Sequence, residues 1–379
     1  MIRRFLWGIA DWLYAHVAKP ILFRIPPDAV HSGMTKITAV VARVGILRGF
    51  VRWIFVRPRD ERIEQTFHGL KFTNPVGLAA GFDKDGEVIP VIAALGFGFG
   101  EVGSVTAKPC PGNPRPWFYR LPKSKAAVIN AGLGNDGARV ILKRLRQYPA
   151  RSLRNFPVFL SVAKTNTKNC VTESDGIKDY VTTVKLAQNE KTIQMIELNI
   201  SCPNAYGGEP FTTVRSLDRL LKEIDKLGVS QPIYIKMPID LPWKAFAGLL
   251  DVIIKHQVVG VTISNLAKDR TKVDPRDVLP DTVSGNLSGK PTWNGSNELI
   301  RQTYLKYGDK LTIIGLGGIF TAEDAYTKIR LGASLVQIIT GMLFNGPQLA
   351  AEISYDLSKL LERDGFSHIS QAVGVDVKK

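Results

Sequence analysis

The sequence predicts a closed (β/α)8 barrel preceded by a helical extension. Three observations carry this reading: eight short, β-rich apolar runs follow one another from residue 76 onward, helical patterns separate them, and polar residues or glycines cluster where the runs end. A chain of 379 residues also accommodates one barrel of roughly 250–300 residues plus a smaller appendage better than two equal domains.

The runs fall at 76–80, 99–103, 158–162, 195–199, 233–236, 260–264, 311–315 and 335–339. Helical patterns at 88–95, 177–188, 217–227, 243–254, 322–331 and 347–361 make the connections βα units, so the sheet is expected to be parallel. In such barrels chemistry sits at the C-terminal ends of the strands. There the sequence places Gly81-Phe82-Asp83-Lys84, the segment from Asn199 to Asn204, Lys236, and Ser264-Asn265. The stretch 268–291 is too long for a plain connection and is expected to cover the site. Gly315-Leu316-Gly317-Gly318 and Thr340-Gly341-Met342 close the last two runs, where barrels commonly hold a phosphate with backbone N–H groups.

Ahead of the barrel, Ile2, Phe5, Leu6, Ile9, Trp12, Leu13 and Val17 recur at helical spacing, with Arg3, Arg4, Asp11 and Lys19 off that stripe. After Pro26-Pro27 a second stripe runs through Met34, Ile37, Val40, Val41, Val44 and Leu47, which predicts a helical hairpin. No stretch reaches the ~20 apolar residues that a membrane span needs. Aromatics interleaved with basic residues suit helices lying in the headgroup layer of a membrane; a helix pair docked on the barrel is the other reading.

Charge supports the first of these. The formal net charge is +16, and residues 1–59 hold ten Lys or Arg against Asp11 and Asp28. About half of the excess therefore sits with the amphipathic stripes, which argues for an anionic lipid surface and against nucleic acid as the partner. Three cysteines without CxxC spacing suggest neither a disulfide framework nor a zinc site, and the dispersed histidines suggest no metal.

The segments Asn74 to Lys84, Gly103-Ser104-Val105-Thr106, Asn199 to Asn204 and Leu335-Val336-Gln337-Ile338 resemble the dihydroorotate dehydrogenase family, over about residues 65–375. The extension further resembles that of the membrane-associated, quinone-reducing class 2 members. The resemblance implies a division into an extension, 1–64, for membrane surface and quinone access, and an FMN-binding barrel, 65–379. It implies FMN contacts at Ala80, Gly81, Lys84, Ser104, Ser161, Asn199, Lys236, Ser264, Gly317, Gly318, Ile339 and Thr340. It also implies a substrate pocket of Lys84, Asn130, Leu133, Asn199, Asn204, Asn265 and Leu266, with Cys202 at the position of the catalytic base.

These residue types suit that chemistry. A lysine at a strand end can stabilise negative charge on the flavin near N1 and the C2 carbonyl. Asparagine amides both donate and accept, as a ring with carbonyls and N–H groups requires, and Lys84 matches the family's carboxylate-binding lysine. Oxidising dihydroorotate to orotate sends hydride from C6 to the flavin and a proton from C5 to a base on the opposite face. A thiol, with an ordinary pKa of about 8.5, depends on its neighbours for that role.

Four departures from the class 2 pattern stand out. Cys202 replaces the usual serine and is a class 1 feature; the segment 130–135 is one residue shorter and lacks an arginine; Ser161 stands where an FMN-contacting asparagine is usual; Leu266 replaces a Ser or Thr. The sequence therefore reads as a divergent member oxidising dihydroorotate with a quinone in pyrimidine synthesis, or as a paralogue working on a related ring. Two rivals remain at this point, a barrel flavoprotein reducing uridines in RNA and a membrane-tethered flavin binder without turnover. The lack of an Arg- and Ser-rich, acid-poor presequence directs the expectation to the cytoplasmic inner membrane of a bacterium, bound peripherally.

Overall fold

The computed structural model describes residues 2–377. Met1 and the side chain of Ile2, with Lys378 and Lys379 at the end of the assigned barrel, lie outside the described residues. The chain opens with helices α1 (Ile2–Leu13), α2 (Lys19–Leu22), α3 (Pro27–Arg43) and α4 (Gly45–Phe55). A wide π turn over Tyr14–Ala18 joins the first two, and the hairpin β1 (Gln65–Phe67) and β2 (Leu70–Phe72) leads into the barrel. Then come β3 (Val76–Asp83), α5 (Ile89–Ala94), β4 (Phe99–Val105), β5 (Phe118–Leu121), β6 (Ala126–Ile129) and α6 (Ala138–Arg146). The chain continues through β7 (Val158–Val162), α7 (Glu173–Ala187), β8 (Met195–Asn199), α8 (Val214–Asp225), β9 (Ile233–Met237), α9 (Trp243–Ile253) and β10 (Gly260–Ile263). It ends with β11 (Asn286–Gly289), α10 (Trp293–Tyr307), β12 (Thr312–Leu316), α11 (Ala322–Arg330), β13 (Leu335–Ile338), α12 (Thr340–Asn345) and α13 (Leu349–Arg363).

All eight expected runs are strands of one closed parallel barrel, ordered β10-β12-β13-β3-β4-β7-β8-β9. Their apolar residues are buried on both faces, because the inner face meets the barrel axis and the outer face meets the helices. Threonines that precede three of those helices fix their starts: Thr172, Thr213 and Thr321 accept from the backbone N–H of Asp175, Ser216 and Asp324.

The floor of the barrel is an aromatic plug of Phe99, Phe159 and Tyr234, with Phe72 of the hairpin packed beneath. Gly77 makes room for it, since a Cβ there would lie 2.2 Å from the Phe99 ring. Over the opposite end, β5, β6 and β11 form an antiparallel sheet in the order β11-β6-β5. The expectation that 268–291 covers the site therefore holds, with β11 as the covering strand.

The extension departs from a simple hairpin. The second stripe breaks at Val44, whose extended backbone separates α3 from α4. Within α1–α4 the buried residues are Trp7, Ala39, Ala42 and Phe55, and Trp7 donates from Nε1 to the Ile54 carbonyl at 2.9 Å. Asp28 clamps α3 to the roof sheet, accepting from Arg115 Nη1 at 2.6 Å and from the Trp117 and Phe118 backbone N–H groups at 3.1 and 3.2 Å. Among the described residues no helix is long and apolar enough to cross a membrane.

Candidate active site

A cavity of about 560 Å³ opens at the C-terminal ends of the strands and continues outward between the roof sheet and the extension. Its inner part is lined by Ala80, Gly81, Lys84, Ser104, Leu133, Asn199, Cys202, Asn204, Lys236, Asn265 and Leu266. Gly317, Gly318, Ile339 and Thr340 close one side. The outer part is lined by Leu22, Phe23, Val30, His31, Met34 and Val41 of the helices, with Arg120 of β5. Three of the expected contact residues stand behind this wall. Ser161 is fully buried with its hydroxyl 2.8 Å from that of Ser104, Ser264 is also fully buried, and Asn130 accepts at Oδ1 from Asn113 Nδ2 at 3.0 Å.

The asparagines are set by one another. Asn199 donates to Ser104 Oγ at 2.8 Å and accepts from Asn265 Nδ2 at 3.2 Å; Asn265 also donates to the Ser201 carbonyl at 2.9 Å. Asn204 donates to the Ile129 carbonyl at 2.8 Å and accepts at Oδ1 from Asn286 Nδ2 at 2.7 Å, which ties the loop after β8 to the roof. Sequence reasoning missed Asn113 and Asn286, which belong to no strand-end motif and acquire their role only when the roof folds over.

Lys84 lacks a partner in this pocket. Its ammonium is buried without a hydrogen-bond partner, against the faces of Trp117 and Phe118. Burial pulls its pKa down to about 8, with Asp85 opposing and Arg115 adding to the fall. An anion entering the cavity would complete that site. His31 lies on the outer side and burial, then Lys84, push it down to about 4, so it is neutral at physiological pH.

Cys202 sits in the loop after β8, half-buried, facing the cavity. Burial pushes its thiol up to about 11; the Asn204 backbone N–H and the lysines 236 and 164 pull it back, while Glu209 raises it. It is therefore protonated at neutral pH: burial outweighs the neighbours that favour a thiolate.

The residues present fit FMN. Gly317 and Gly318 adopt φ of +109° and +72°, and a Cβ on them would lie 2.5 Å from Thr292 Oγ1 and 2.9 Å from Trp293 Cβ, so only glycine lets this backbone line an anion cradle. Lys236 is buried at the wall with its nearest carboxylate oxygen 3.7 Å away, leaving hydrogen-bond capacity for a cofactor carbonyl. Gln337 also reaches the wall and carries a buried, unpartnered Oε1.

The family model for dihydroorotate dehydrogenase matches residues 62–361. A protein of Haloarcula marismortui named dihydroorotate dehydrogenase (quinone) is 37% identical over 363 residues, covering 95% of this chain and 99% of its own. One of the same name from Deinococcus deserti is 35% identical over 373 residues, covering 96% and 100%. The crystal structure of the Eimeria tenella enzyme with ferulenol superposes with a TM-score of 0.77 at 25% identity, covering 90% of this chain and 99% of that one. With the barrel, the lysine-and-asparagine pocket and these relatives in agreement, the chain belongs to the dihydroorotate dehydrogenase family.

Proposed function

We propose a division of labour for the reaction that this family membership gives the chain, oxidation of dihydroorotate to orotate with a quinone as electron acceptor. The observation that carries it is one continuous cavity, polar at its barrel end and largely apolar where α2–α4 enclose it. FMN, when bound, supplies hydride acceptance and passes the electrons on. Gly317, Gly318, Ile339 and Thr340 would hold its phosphate, Ala80, Gly81, Ser104 and Lys236 its ring, with Ser161 and Ser264 supporting from behind.

In the substrate pocket Lys84 pairs with the carboxylate, for which it has no competing partner. Asn199, Asn204 and Asn265 orient the ring, Leu133 and Leu266 pack on it, and Asn130 braces the wall through Asn113. Cys202 takes the C5 proton. Because its thiol is pushed up to about 11, the thiolate is a scarce but strong base, and its proton affinity drives the abstraction.

The extension, residues 1–64, lies on the cytoplasmic face of an inner membrane and admits the quinone, while 65–379 forms the flavin barrel. Among the described residues, fifteen of the twenty-one exposed large hydrophobic residues fall within the first 55 positions, among them Phe5, Trp12, Ile37, Ile46, Phe50 and Trp53. The apolar stripe of α1 thus faces away from the barrel while Trp7 docks it, so packing on the barrel and contact with lipid use different faces.

The test is an anaerobic mix of purified protein with dihydroorotate, followed by the flavin absorbance. Bleaching, and recovery on adding a quinone, is the expected result. A yellow protein that stays oxidised would sink the substrate assignment and send the search to other dihydropyrimidines.

A further inference from the structure

At the base of the cavity, the barrel interior is polar. Glu101 of β4, Ser161 of β7, Glu197 of β8, Lys236 of β9, Thr262 of β10 and Gln337 of β13 occupy it, a step above the aromatic plug. All are fully buried except Lys236, which is 4% exposed. Two carboxyl groups therefore share this layer with one cation.

Hydrogen bonding leaves both acids short of donors. Glu101 Oε2 accepts from the Ala80 backbone N–H at 3.1 Å and from Gln337 Nε2 at 3.0 Å, but its Oε1 has no partner. Neither oxygen of Glu197 has one, since Lys236 Nζ stands 3.7 Å from Oε1, beyond hydrogen-bond length. The two carboxyls share this buried layer, and each feels the other's charge. Burial, then the charge of Glu197, raises Glu101 well above the usual carboxylate range, and Lys236 is the only cation acting against this. Two buried carboxylates in one layer beside a single ammonium resist ionising together; one proton between them leaves the trio neutral.

We propose that Glu101 and Glu197 hold one shared proton in the resting enzyme, and that the pair takes up a second from solvent when Lys236 is drawn to the negative charge the flavin gains on accepting hydride. The second part rests on the flavin reading above. The balance is two electrons and one proton arriving as hydride at the cofactor, and one solvent proton arriving at the carboxyl pair. That proton leaves when a quinone removes the electrons. Ala80 and Gln337, which bond Glu101, line the cavity and put the pair directly behind its wall. Glu101 and Glu197 are thus positioning residues that act through Lys236.

Two measurements test this. In a redox titration of the bound flavin against pH, the wild type takes up two protons per two electrons across neutral pH, and the double variant Glu101→Gln/Glu197→Gln takes up one. A wild type that takes up a single proton, or a variant indistinguishable from it, overturns the coupling. Infrared spectroscopy of the protein stripped of flavin reads the shared proton by itself. Well above the values of about 6 and about 7 to which burial raises Asp83 and Glu352, where both are ionised, a protonated-carboxyl band should be present in wild type and absent in both Glu101→Gln and Glu197→Gln, since either single variant leaves one carboxylate paired with Lys236. No band in wild type, or a band that survives both substitutions, overturns the shared proton. A protein that binds no flavin sinks the flavin reading instead, and the infrared result still decides the shared proton.

Discussion

The Lys84 ammonium lies 4.9 Å from the centre of the Phe118 ring and 5.2 Å from that of Trp117, with no carboxylate bound to it. Both rings belong to the roof segment that Asp28 clamps to α3, so the anion site is framed jointly by barrel, roof and extension. Aromatic faces lend a cation modest stabilisation and leave its N–H groups free for an incoming ligand.

Replacing that ammonium should cost binding more than chemistry. A charge-assisted hydrogen bond contributes about 1.5–3 kcal/mol, so Lys84→Met is expected to raise the KM for dihydroorotate roughly 10- to 100-fold. Steady-state kinetics with saturating quinone check this, with flavin content measured to show that the cofactor stays bound. An unchanged KM would remove Lys84 from the substrate pocket.

Cys202→Ala should slow anaerobic flavin reduction by roughly 10²- to 10⁴-fold, the usual contribution of a positioned base. Stopped-flow absorbance isolates this step from quinone turnover. Reduction at the wild-type rate would mean that the C5 proton leaves by another route.

The pH dependence follows from the two groups together. In the free enzyme Lys84, at about 8, must be charged, and Cys202, at about 11, must be deprotonated. Below about pH 8 the ammonium is intact and the thiolate fraction grows tenfold per unit, so kcat/KM climbs. Between about 8 and 11 each gain in thiolate is offset by an equal loss of ammonium, and the profile is flat. Bound carboxylate keeps Lys84 protonated, so kcat itself goes on rising past the bend. Initial rates across this range check it; a kcat/KM that does not vary below about 8 contradicts the assignment of the base.

The acceptor side should be separable from the substrate side. Val30 of α3 lines the outer cavity, and Val30→Trp places bulk there. We expect a KM for quinone raised by roughly tenfold or more, as for other size mismatches in apolar pockets, with the rate of flavin reduction by dihydroorotate unchanged. Equal effects on both half-reactions would count against quinone entry between the helices.

Gly77→Ala tests the floor. The added Cβ would overlap the Phe99 ring, and overpacking of this kind costs about 1–3 kcal/mol. A lowered melting temperature without loss of substrate affinity is the expected outcome by calorimetry and kinetics.

The barrel was legible because its strands are buried on both faces and read as apolar runs, while its cavity-lining polar residues sit at the strand ends in contiguous motifs such as Gly81 to Lys84 and Asn199 to Asn204. The roof was not. Its strands are four residues each, and β6 pairs with β11 across more than half of the barrel sequence, so neither carries a local signal. Asn113 and Asn286 were invisible for the same reason. The break at Val44 was hidden by an apolar periodicity that continues across it, and the acids of the polar layer were hidden inside runs that read as core strands, where a single Glu looks like noise.

On the membrane seating proposed above, the outward apolar face of the extension has a kinetic consequence. An enzyme seated in the headgroup layer meets its acceptor in two dimensions, so what governs the oxidative half-reaction is the number of quinones per lipid, not per litre. Diluting the vesicles at fixed lipid composition should leave the rate unchanged once all protein is bound, whereas adding quinone-free lipid should lower it. The same protein in a water-soluble quinone analogue would obey ordinary bulk concentration, so one active site would follow two rate laws according to the phase from which its acceptor arrives.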